Sequence, residues 1–340
     1  MQTTVPARYL RQIIFPGIGE SGQTKLRAAR VLVVGVGATG SVIASTLARA
    51  GVGYIKIADR DFVELHNLQR QLLFDEADAA ARAPKAIAAA QKLARVNSAI
   101  QIEPCVTDVN AENIEALMAD AALVLDGTDN FETRFLVNDA CVKHNKAWIY
   151  GGAVASYGAS MTIVPNASAC LRCVFRHAPP PGALPTCDTA GVIAPIVNVI
   201  GSLVAAEALK FLVGQGARNR GLINIDLWEN TFDAVAVERR ADCPCCVKRQ
   251  FDFLADARAD AAFLCGRNAV QIRPAQKHTL DLAQLAARLA PLGAVTQNEY
   301  LLHFARDDFE LTIFPDARAI IQGTDDASVA RSVYAKYVGM

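Results

Sequence analysis

The stretch VLVVGVGATG, residues 31–40, places an apolar, β-branched run directly before a G-x-G-x-x-G pattern. The run predicts a buried strand, and the glycines let the chain turn tightly and approach a phosphate at the start of a helix. A second apolar run, YIKIAD (54–59), ends in Asp59, where a carboxylate can hold ribose hydroxyls. The pattern indicates a nucleotide site, which NAD and ATP fit equally well. Its three glycines are Gly35, Gly37 and Gly40.

Strand-like and helix-like segments alternate through the first 249 residues. The predicted strands are 30–37, 54–59, 100–105, 122–126 and 147–152, and the predicted helices are 41–51, 84–97, 130–145 and 195–213. This rhythm predicts an α/β fold with a Rossmann-like, mostly parallel sheet and helices on both faces. Residues 156–165 predict an antiparallel extension, and the Pro-rich segment 178–186 predicts a mobile loop.

The pattern changes after residue 249. Residues 302–315 alternate as a hairpin does, and residues 327–339 predict a closing helix. We therefore predict two domains, 1–249 and 250–340, the second being a small C-terminal α+β module.

Composition excludes several classes of protein. The chain has 340 residues with 34 basic and 34 acidic side chains, which argues against a general nucleic-acid binder. The N-terminus lacks the apolar segment of a signal peptide. The uncharged, apolar run 191–206 is shorter than the roughly 20 residues that span a bilayer. We expect a cytoplasmic protein with no nucleic-acid partner and no membrane span.

Polar residues after the second strand distinguish the two nucleotides. Asn67 and Arg70 lie in HNLQRQ (66–71), Lys85 opens the next helix, and Arg11 could add a further cation. A dehydrogenase needs no such set, whereas an enzyme that cleaves ATP between its α- and β-phosphates must stabilise growing negative charge. A single Lys or Arg is more often a solvated surface charge. The combination favours ATP.

Two carboxylates follow the strand in LVLDGTDN (123–130). Ligands bind beyond the carboxyl ends of strands in open α/β sheets, so Asp129 is placed to hold Mg²⁺ or to orient reacting groups. Asp126 could serve only to organise the turn, and an Asx turn or helix cap is an alternative for both residues.

Two C-x-x-C pairs, about 70 residues apart, supply four thiols, and four thiolates suit tetrahedral Zn²⁺. We predict a closed, structural zinc site. Cys245 makes the register of the second pair ambiguous, and Cys246 is chosen because it keeps the C-x-x-C spacing. The predicted ligands are Cys170, Cys173, Cys243 and Cys246.

Together, RYLRQ, GVGATG, ADRDFVELHNLQRQ, PKA, DGTDN, the C-x-x-C pairs and TCDTAGV resemble the ThiF/MoeB/HesA family, relatives of the ubiquitin-activating enzymes, over about residues 7–248. The resemblance implies an adenylyltransferase that uses Mg-ATP to adenylate the C-terminal glycine of a ubiquitin-like sulfur-carrier protein ending in Gly-Gly, releasing pyrophosphate. By motif position, the implied nucleotide-binding residues are Gly35, Gly37, Gly40, Asp59, Asp61, Asn67, Arg70, Lys85 and Asp129. The implied catalytic residues are Arg70, Lys85, Asp129, Arg11 and Cys187.

The resemblance also concerns partners. Arg11 corresponds to the arginine that reaches the other subunit's nucleotide site in family dimers, so a homodimer is expected. A sulfurtransferase or a cysteine desulfurase would be a further partner. Arg60 and His66 depart from the residues usual in the family, and neither change removes a needed functional group.

Cys187, in PTCDTAG (185–191), lies where relatives carry a cysteine whose role differs between branches. In the ThiF branch it can join the carrier covalently, and in the MoeB branch it is dispensable. A thiol near the adenylate could attack it to form a thioester. An incidental thiol is the alternative.

The last 90 residues lack a rhodanese-type loop and are similar to longer ThiF proteins of thiamin thiazole synthesis, which favours that pathway. Activation of the sulfur carrier of molybdopterin synthase, as in MoeB, stays open as an alternative. Two other classes compete. An NAD-dependent oxidoreductase is favoured only by the glycine pattern, and a non-catalytic zinc scaffold would bind a ubiquitin-fold protein without chemistry.

Overall fold

The computed structural model describes residues 7–179, 187–219, 221–255, 261–264, 268–274 and 279–339. The chain divides into two compact units. The first comprises residues 1–178 and 190–257, and the second comprises residues 179–189 and 258–340. The division into domains at residue 249 stays a prediction.

The first unit is built on one sheet. Its strands are β1 Arg30–Val34, β2 Tyr54–Asp59, β3 Gln101–Val106, β4 Leu123–Asp126, β5 Ala147–Val154, β6 Tyr157–Ile163, β7 Gly221–Asp226 and β8 Thr231–Ala236. Across the described residues the order is β3-β2-β1-β4-β5-β6-β7-β8. The first five strands are parallel and the last three are antiparallel. The strand order reverses between β1 and β4, and such a switch point is where open α/β sheets bind ligands.

Helices connect and flank the strands. In chain order they are α1 Leu10–Ile14, α2 Gly19–Ala28, α3 Ala38–Ala50, α4 Glu76–Ala80, α5 Lys85–Val96, α6 Ile114–Leu117, α7 Phe131–Lys143, α8 Leu171–Val174, α9 Cys187–Ala190, α10 Ala194–Val213, α11 Asp252–Ala255, α12 Leu282–Leu289 and α13 Ala327–Tyr337. Successive side chains of a strand point to opposite faces. In β1, Val31 and Val33 pack in the cluster that contains α3, α5 and α10, and Leu32 and Val34 pack in the cluster that contains α7. Helices therefore cover both faces, as predicted.

Helix α10 is the core helix of the first unit. It has 20 residues, and Gly214 ends it in the left-handed conformation, with φ of 75°. Among the described residues it is the one helix long and apolar enough to cross a membrane by length and composition alone. Half of its apolar window is buried within the protein, where it packs against α3 and β5. This burial is typical of a core helix.

The predicted strands and helices of the first unit are confirmed, with ends shifted by a few residues. The antiparallel extension is confirmed at β6, and it is larger than predicted because β7 and β8 continue it. Strand β8 escaped prediction because all six of its side chains are exposed, which leaves no apolar alternation. Of the Pro-rich segment 178–186, residues 180–186 lie outside the described residues.

The second unit contains an antiparallel sheet. Its strands are β9 Ala261–Leu264, β10 Ala269–Ile272, β11 Ala294–Gln297, β12 Leu302–Arg306, β13 Phe309–Ile313 and β14 Ala319–Gln322, in the order β11-β12-β13-β14-β10-β9 over the described residues. The predicted hairpin is confirmed as β12 and β13, and the predicted closing helix as α13. Helices α12 and α13 pack on this sheet. The predicted α+β class of this region is confirmed.

Candidate active site and metal centre

The glycine-rich turn lies at the switch point of the sheet. Gly35 follows β1 with φ of 81°, a conformation that favours glycine. A Cβ added to Gly35 would lie 2.8 Å from the carbonyl oxygen of Gly127, and one added to Gly40 would lie 2.0 Å from the carbonyl oxygen of Gly35. The turns after β1 and β4 are therefore in contact, and only glycines allow it. Gly37 is the N-cap of α3, so backbone N–H groups of that helix face the turn.

Asp59 is fixed at the end of β2. The backbone N–H groups of Val36 and Asp61 each donate to its carboxylate at 2.7 Å. Burial raises the pKa of Asp59, which the nearby Lys85 partly offsets. The carboxylate thus adjoins the glycine turn, where it could accept hydrogen bonds from the hydroxyls of a ribose.

Lys85 and Asp61 are joined although 24 residues separate them. Phe62 pairs with Pro84 in an isolated bridge, and the Lys85 backbone N–H donates to the Asp61 carbonyl at 2.9 Å. The Lys85 ammonium lies 3.2 Å from the Asp61 carboxylate. Lys85 is 2% exposed, so its cation is held in a fixed, poorly solvated place. An anionic ligand would bind such a cation more strongly than it would bind a surface lysine.

The turn that carries Asn67 and Arg70 holds buried polar atoms in need of partners. Asn67 accepts a hydrogen bond from the Glu64 N–H at 3.2 Å, and Arg70 donates to the His66 carbonyl at 3.0 Å. Among the described residues, no partner reaches Asn67 Nδ2 or Gln71 Oε1, although both residues are buried. Such unpaired groups are costly unless a ligand or water binds them.

Asp126 organises the turn after β4. Its Oδ1 accepts from the Thr128 N–H at 2.9 Å and from the Thr128 hydroxyl at 2.7 Å, so the turn-forming role considered for it is confirmed. Its Oδ2 accepts from Arg134 Nε at 3.1 Å, and Arg134 also donates to the Thr128 carbonyl at 2.6 Å. Asp129 is exposed one residue before Asn130, the N-cap of α7. The loop that presents Asp129 is therefore held by a buried ion pair.

Arg60, the departure noted in the sequence, lies within an acidic group. Its guanidinium is 3.0 Å from Asp108 and 3.8 Å from Asp61. Burial opposes the charge on Arg60, but the carboxylates of Asp108, Asp61 and Asp129 outweigh burial and raise its pKa. Arg60 consequently stays cationic and offsets the acids near the site.

Four cysteine thiols converge within the first unit. The Sγ atoms of Cys170, Cys173, Cys243 and Cys246 all lie within 4.8 Å of one another, and all four residues are buried. Cys170 and Cys243 are 3.6 Å apart at sulfur, as are Cys173 and Cys246. With Zn–S bonds of about 2.3 Å, tetrahedral geometry would separate the sulfurs by about 3.8 Å. The donor type, number and spacing therefore fit a tetrahedral metal ion.

Helix α7 connects this cysteine cluster to the loop of Asp129. Asn138 accepts a hydrogen bond from the Leu171 N–H at 2.9 Å, within the first cysteine pair, and donates to Cys245 Sγ at 3.2 Å, within the second. The neighbouring Asp139 accepts from the Phe253 N–H at 3.1 Å. Arg134, one turn earlier on α7, holds the turn of Asp126.

Of the predicted catalytic residues, Arg11 lies elsewhere in the first unit. Arg11 is exposed on α1, away from the turns described above. Cys187 begins α9 and belongs to the second unit, and its side chain lies outside the described part of the structure. The structure thus brings together six predicted residues at the carboxyl ends of the parallel strands: Gly35, Gly37, Gly40, Asp59, Asp61 and Lys85.

Comparison with known proteins decides the family, since residues 9–245 match the ThiF family. The chain belongs to the ThiF family. The sulfur carrier protein ThiS adenylyltransferase of Bacillus subtilis is 45% identical over 336 residues, covering 98% of this chain and 99% of that protein. The sulfur carrier protein adenylyltransferase of Thermus thermophilus is 39% identical and covers 70% of this chain and 90% of its own length. The predicted family resemblance is confirmed.

The fold agrees with a solved structure. E. coli MccB with ATP superposes with a TM-score of 0.63 at 24% identity, covering 72% of this chain and 75% of that chain. At this identity the likeness concerns the fold, and it confirms the predicted Rossmann-like architecture.

Within this ThiF-family domain, sequence reasoning missed Gln71, Arg134 and Asn138. Gln71 stood in the quoted HNLQRQ segment, and its amide nitrogen lies 3.8 Å from where a Cβ on Gly37 would be. Arg134 and Asn138 are four residues apart on one predicted helix, a spacing that places them on one face. A cation and an amide at this spacing on one predicted helix were the available signal.

Proposed function

We propose that the protein adenylates the C-terminal glycine carboxylate of a ubiquitin-like sulfur-carrier protein with ATP and releases pyrophosphate. The observation that carries this proposal is the buried Lys85 and Arg70, which lie with the unpaired Asn67 amide in the segments after β2. A site for a dinucleotide in redox chemistry has no need of these groups. Similarity to a ThiS adenylyltransferase along nearly the whole chain supports the same conclusion.

Each residue has a role in this reaction. The α3 N-terminus and Gly37 bind phosphate oxygens, and Asp59 accepts from the ribose hydroxyls. Arg70 and Lys85 stabilise the charge that develops on the α-phosphate and on departing pyrophosphate. They also reduce the repulsion between ATP and the incoming carboxylate. Mg²⁺, held with ATP by Asp129, would supply further charge neutralisation.

The thiazole branch of thiamin synthesis is the pathway we propose. The match to the B. subtilis protein extends through the second unit, whereas the match to the T. thermophilus protein covers 70% of this chain. A carrier that serves molybdopterin synthase is the alternative within the same chemistry. A sulfurtransferase or a cysteine desulfurase would supply sulfur to the activated carrier, and the reaction would take place in the cytoplasm.

We further propose that the four-cysteine cluster holds a structural Zn²⁺ ion. The donor set leaves no position for water or substrate, which is typical of a structural site. The ligands are Cys170, Cys173, Cys243 and Cys246, because Cys245 is instead bound by Asn138.

Arg11 supports a homodimer as the active form. The segment that carries Arg11 lies at the ends of α3 and α5 that are opposite to Gly37 and Lys85. These helices have 13 and 12 residues, hence lengths of about 20 and 18 Å. An arginine side chain is far shorter, so Arg11 would serve the site of a second copy.

Cys187 would act after adenylation. Its thiolate would attack the glycyl carbonyl of the adenylate, forming a thioester and releasing AMP. This covalent link to the carrier stays a proposal.

The test is direct detection of an AMP adduct on the carrier protein. The protein is incubated with Mg-ATP and purified carriers of the thiazole and molybdopterin types, and intact carrier mass is measured. We expect an AMP adduct on the thiazole-type carrier and none on the same carrier lacking its last glycine. An adduct on the molybdopterin-type carrier alone would reassign the pathway. Thermal stabilisation by NAD and not by Mg-ATP would instead favour an oxidoreductase.

A further inference from the structure

The segment RYLRQ, residues 8–12, is attached to the first unit by side chains on both sides of Arg11. We propose that Tyr9 and Gln12 are positioning residues, which hold Arg11 in a preformed orientation for the nucleotide site of a second copy. This inference rests on the proposed function. It adds that the presenting segment is ordered within its own subunit before the second copy binds.

Tyr9 anchors the segment on one side. It is 2% exposed, and its hydroxyl oxygen accepts from Asn97 Nδ2 at 2.8 Å. Asn97 Nδ2 also donates to the Ala48 carbonyl at 2.7 Å, and Asn97 Oδ1 accepts a hydrogen bond from the Arg8 guanidinium. The Tyr9 ring fills the space beside Gly51, since a Cβ there would lie 2.5 Å from the ring. A side chain at Gly51 would displace Tyr9.

Gln12 anchors the segment on the other side. Its Nε2 donates to Gln23 Oε1 at 2.6 Å and to the Ala50 carbonyl at 2.9 Å. Gln23 is fully buried and donates to the same Ala50 carbonyl at 2.9 Å. Both amides therefore donate to one carbonyl at the C-terminal end of α3, where the helix itself supplies no donor.

Between these two anchors lies Arg11, an exposed residue. Its neighbours Leu10, Ile14 and Phe15 are 53%, 61% and 60% exposed. The arginine is exposed, its sequence neighbours are apolar, and buried polar side chains anchor the segment that carries it. This arrangement suits contact with another subunit rather than the stability of its own subunit. Preordering the segment reduces the entropy lost when the second copy binds. It also keeps the guanidinium in place for a reacting group, where small displacements are costly.

The test uses mixed dimers in carrier-dependent ATP–pyrophosphate exchange. Gln12→Ala and Tyr9→Phe are each expected to lower exchange by about 10- to 100-fold, with dimer mass retained. Gln91→Ala, an exposed glutamine on α5, is the matched control and should keep full activity. If Gln12→Ala fails to fold, Tyr9→Phe, which keeps the ring, carries the test.

Mixing identifies the subunit in which the anchors act. Asp129→Ala subunits have no working site but present Arg11 normally. Gln12→Ala subunits mixed with Asp129→Ala subunits should therefore regain exchange, as should Arg11→Ala mixed with Asp129→Ala. Rescue of Arg11→Ala without rescue of Gln12→Ala or Tyr9→Phe would overturn the positioning role. No rescue of Arg11→Ala would contradict action on the second copy, and no exchange by the wild type would overturn the proposed function itself.

Discussion

The ion pair between Asp126 and Arg134 shows how one buried contact sets the geometry of a loop. Both residues are almost fully buried, and between them they bind Thr128 and Gly151. Burial opposes the charge on Arg134, but Asp126, Tyr150 and Asp129 together outweigh burial and raise the Arg134 pKa. Removing one partner of such a pair leaves the other charge buried and unpaired. The pair therefore matters for stability and for the position of Asp129.

Arg134→Ala should lower the free energy of unfolding by about 3–5 kcal/mol, because Asp126 would be left as a buried, uncompensated carboxylate. Denaturant titration measures this loss. Glu132→Ala, an exposed position on the same helix, is the control and should change stability by less than about 0.5 kcal/mol. Equal stability of the two variants would show that the pair contributes nothing.

The raised pKa of Asp139 predicts a specific pH dependence of the free energy of unfolding. Burial raises its pKa to about 6 in the folded protein, whereas an unfolded aspartate titrates near its ordinary value of 3.8. Between these values the folded state binds the proton and the unfolded state does not. Stability contributed by Asp139 is therefore present at low pH and is lost as pH rises to about 6.

Asp139→Asn removes this titration. The unfolding free energy of the wild type, relative to that of the variant, should fall by up to about 3 kcal/mol from pH 4 to pH 7, at about 1.4 kcal/mol per pKa unit. Urea titrations of both proteins across this range measure the difference. Parallel curves for the two proteins would mean that Asp139 has an ordinary pKa.

At the scale of elements, α7 links the two centres of the first unit. Its N-terminal turn holds the Asp126 loop through Arg134, and its middle contacts both cysteine pairs through Asn138. Arg249 donates to the carbonyls of Val142 and Lys143 at 2.9 and 3.0 Å, which satisfies the end of the helix. If the cluster holds zinc as proposed, loss of the ion would loosen the helix that also supports the loop of Asp129.

The adjacent residues Cys245 and Cys246 provide a matched test of the metal site. Cys246→Ser should lose bound zinc and show a lower thermal midpoint, because zinc binding to such sites contributes about 10–16 kcal/mol in small peptides. Cys245→Ser should keep about one zinc per chain, since Asn138 and not the metal binds that residue. Metal analysis of both purified variants decides the matter. Zinc loss from Cys245→Ser alone would reverse the ligand choice.

The elements show what the sequence could and could not predict. Strands β1, β2 and β4 were predictable because their apolar runs are buried in the sheet, whereas the exposed β8 has no such pattern. Asp59 was predictable as a site residue because it ends a strand. The Asp61–Lys85 and Asp126–Arg134 pairs were not, because each depends on how the chain closes in three dimensions.

At the scale of the whole molecule, chemistry and support lie in different parts of the chain. The first unit gathers the residues that we propose to bind ATP at the carboxyl ends of its strands, and its four clustered cysteines bring two later segments together. The RYLRQ segment carries the exposed Arg11. The second unit contains Cys187. Similarity to the B. subtilis ThiS adenylyltransferase includes both units.

The most direct measurement is ATP–pyrophosphate exchange with a purified carrier ending in Gly-Gly, for the wild type and Asp129→Ala. Asp129 is exposed and no hydrophobic cluster contains it, so its replacement should leave the fold intact. We expect carrier-dependent exchange by the wild type and a loss of at least about 100-fold in the variant, since a group that stabilises developing charge is removed. Exchange unchanged in Asp129→Ala, or no exchange by the wild type with any such carrier, would contradict adenylation at this site.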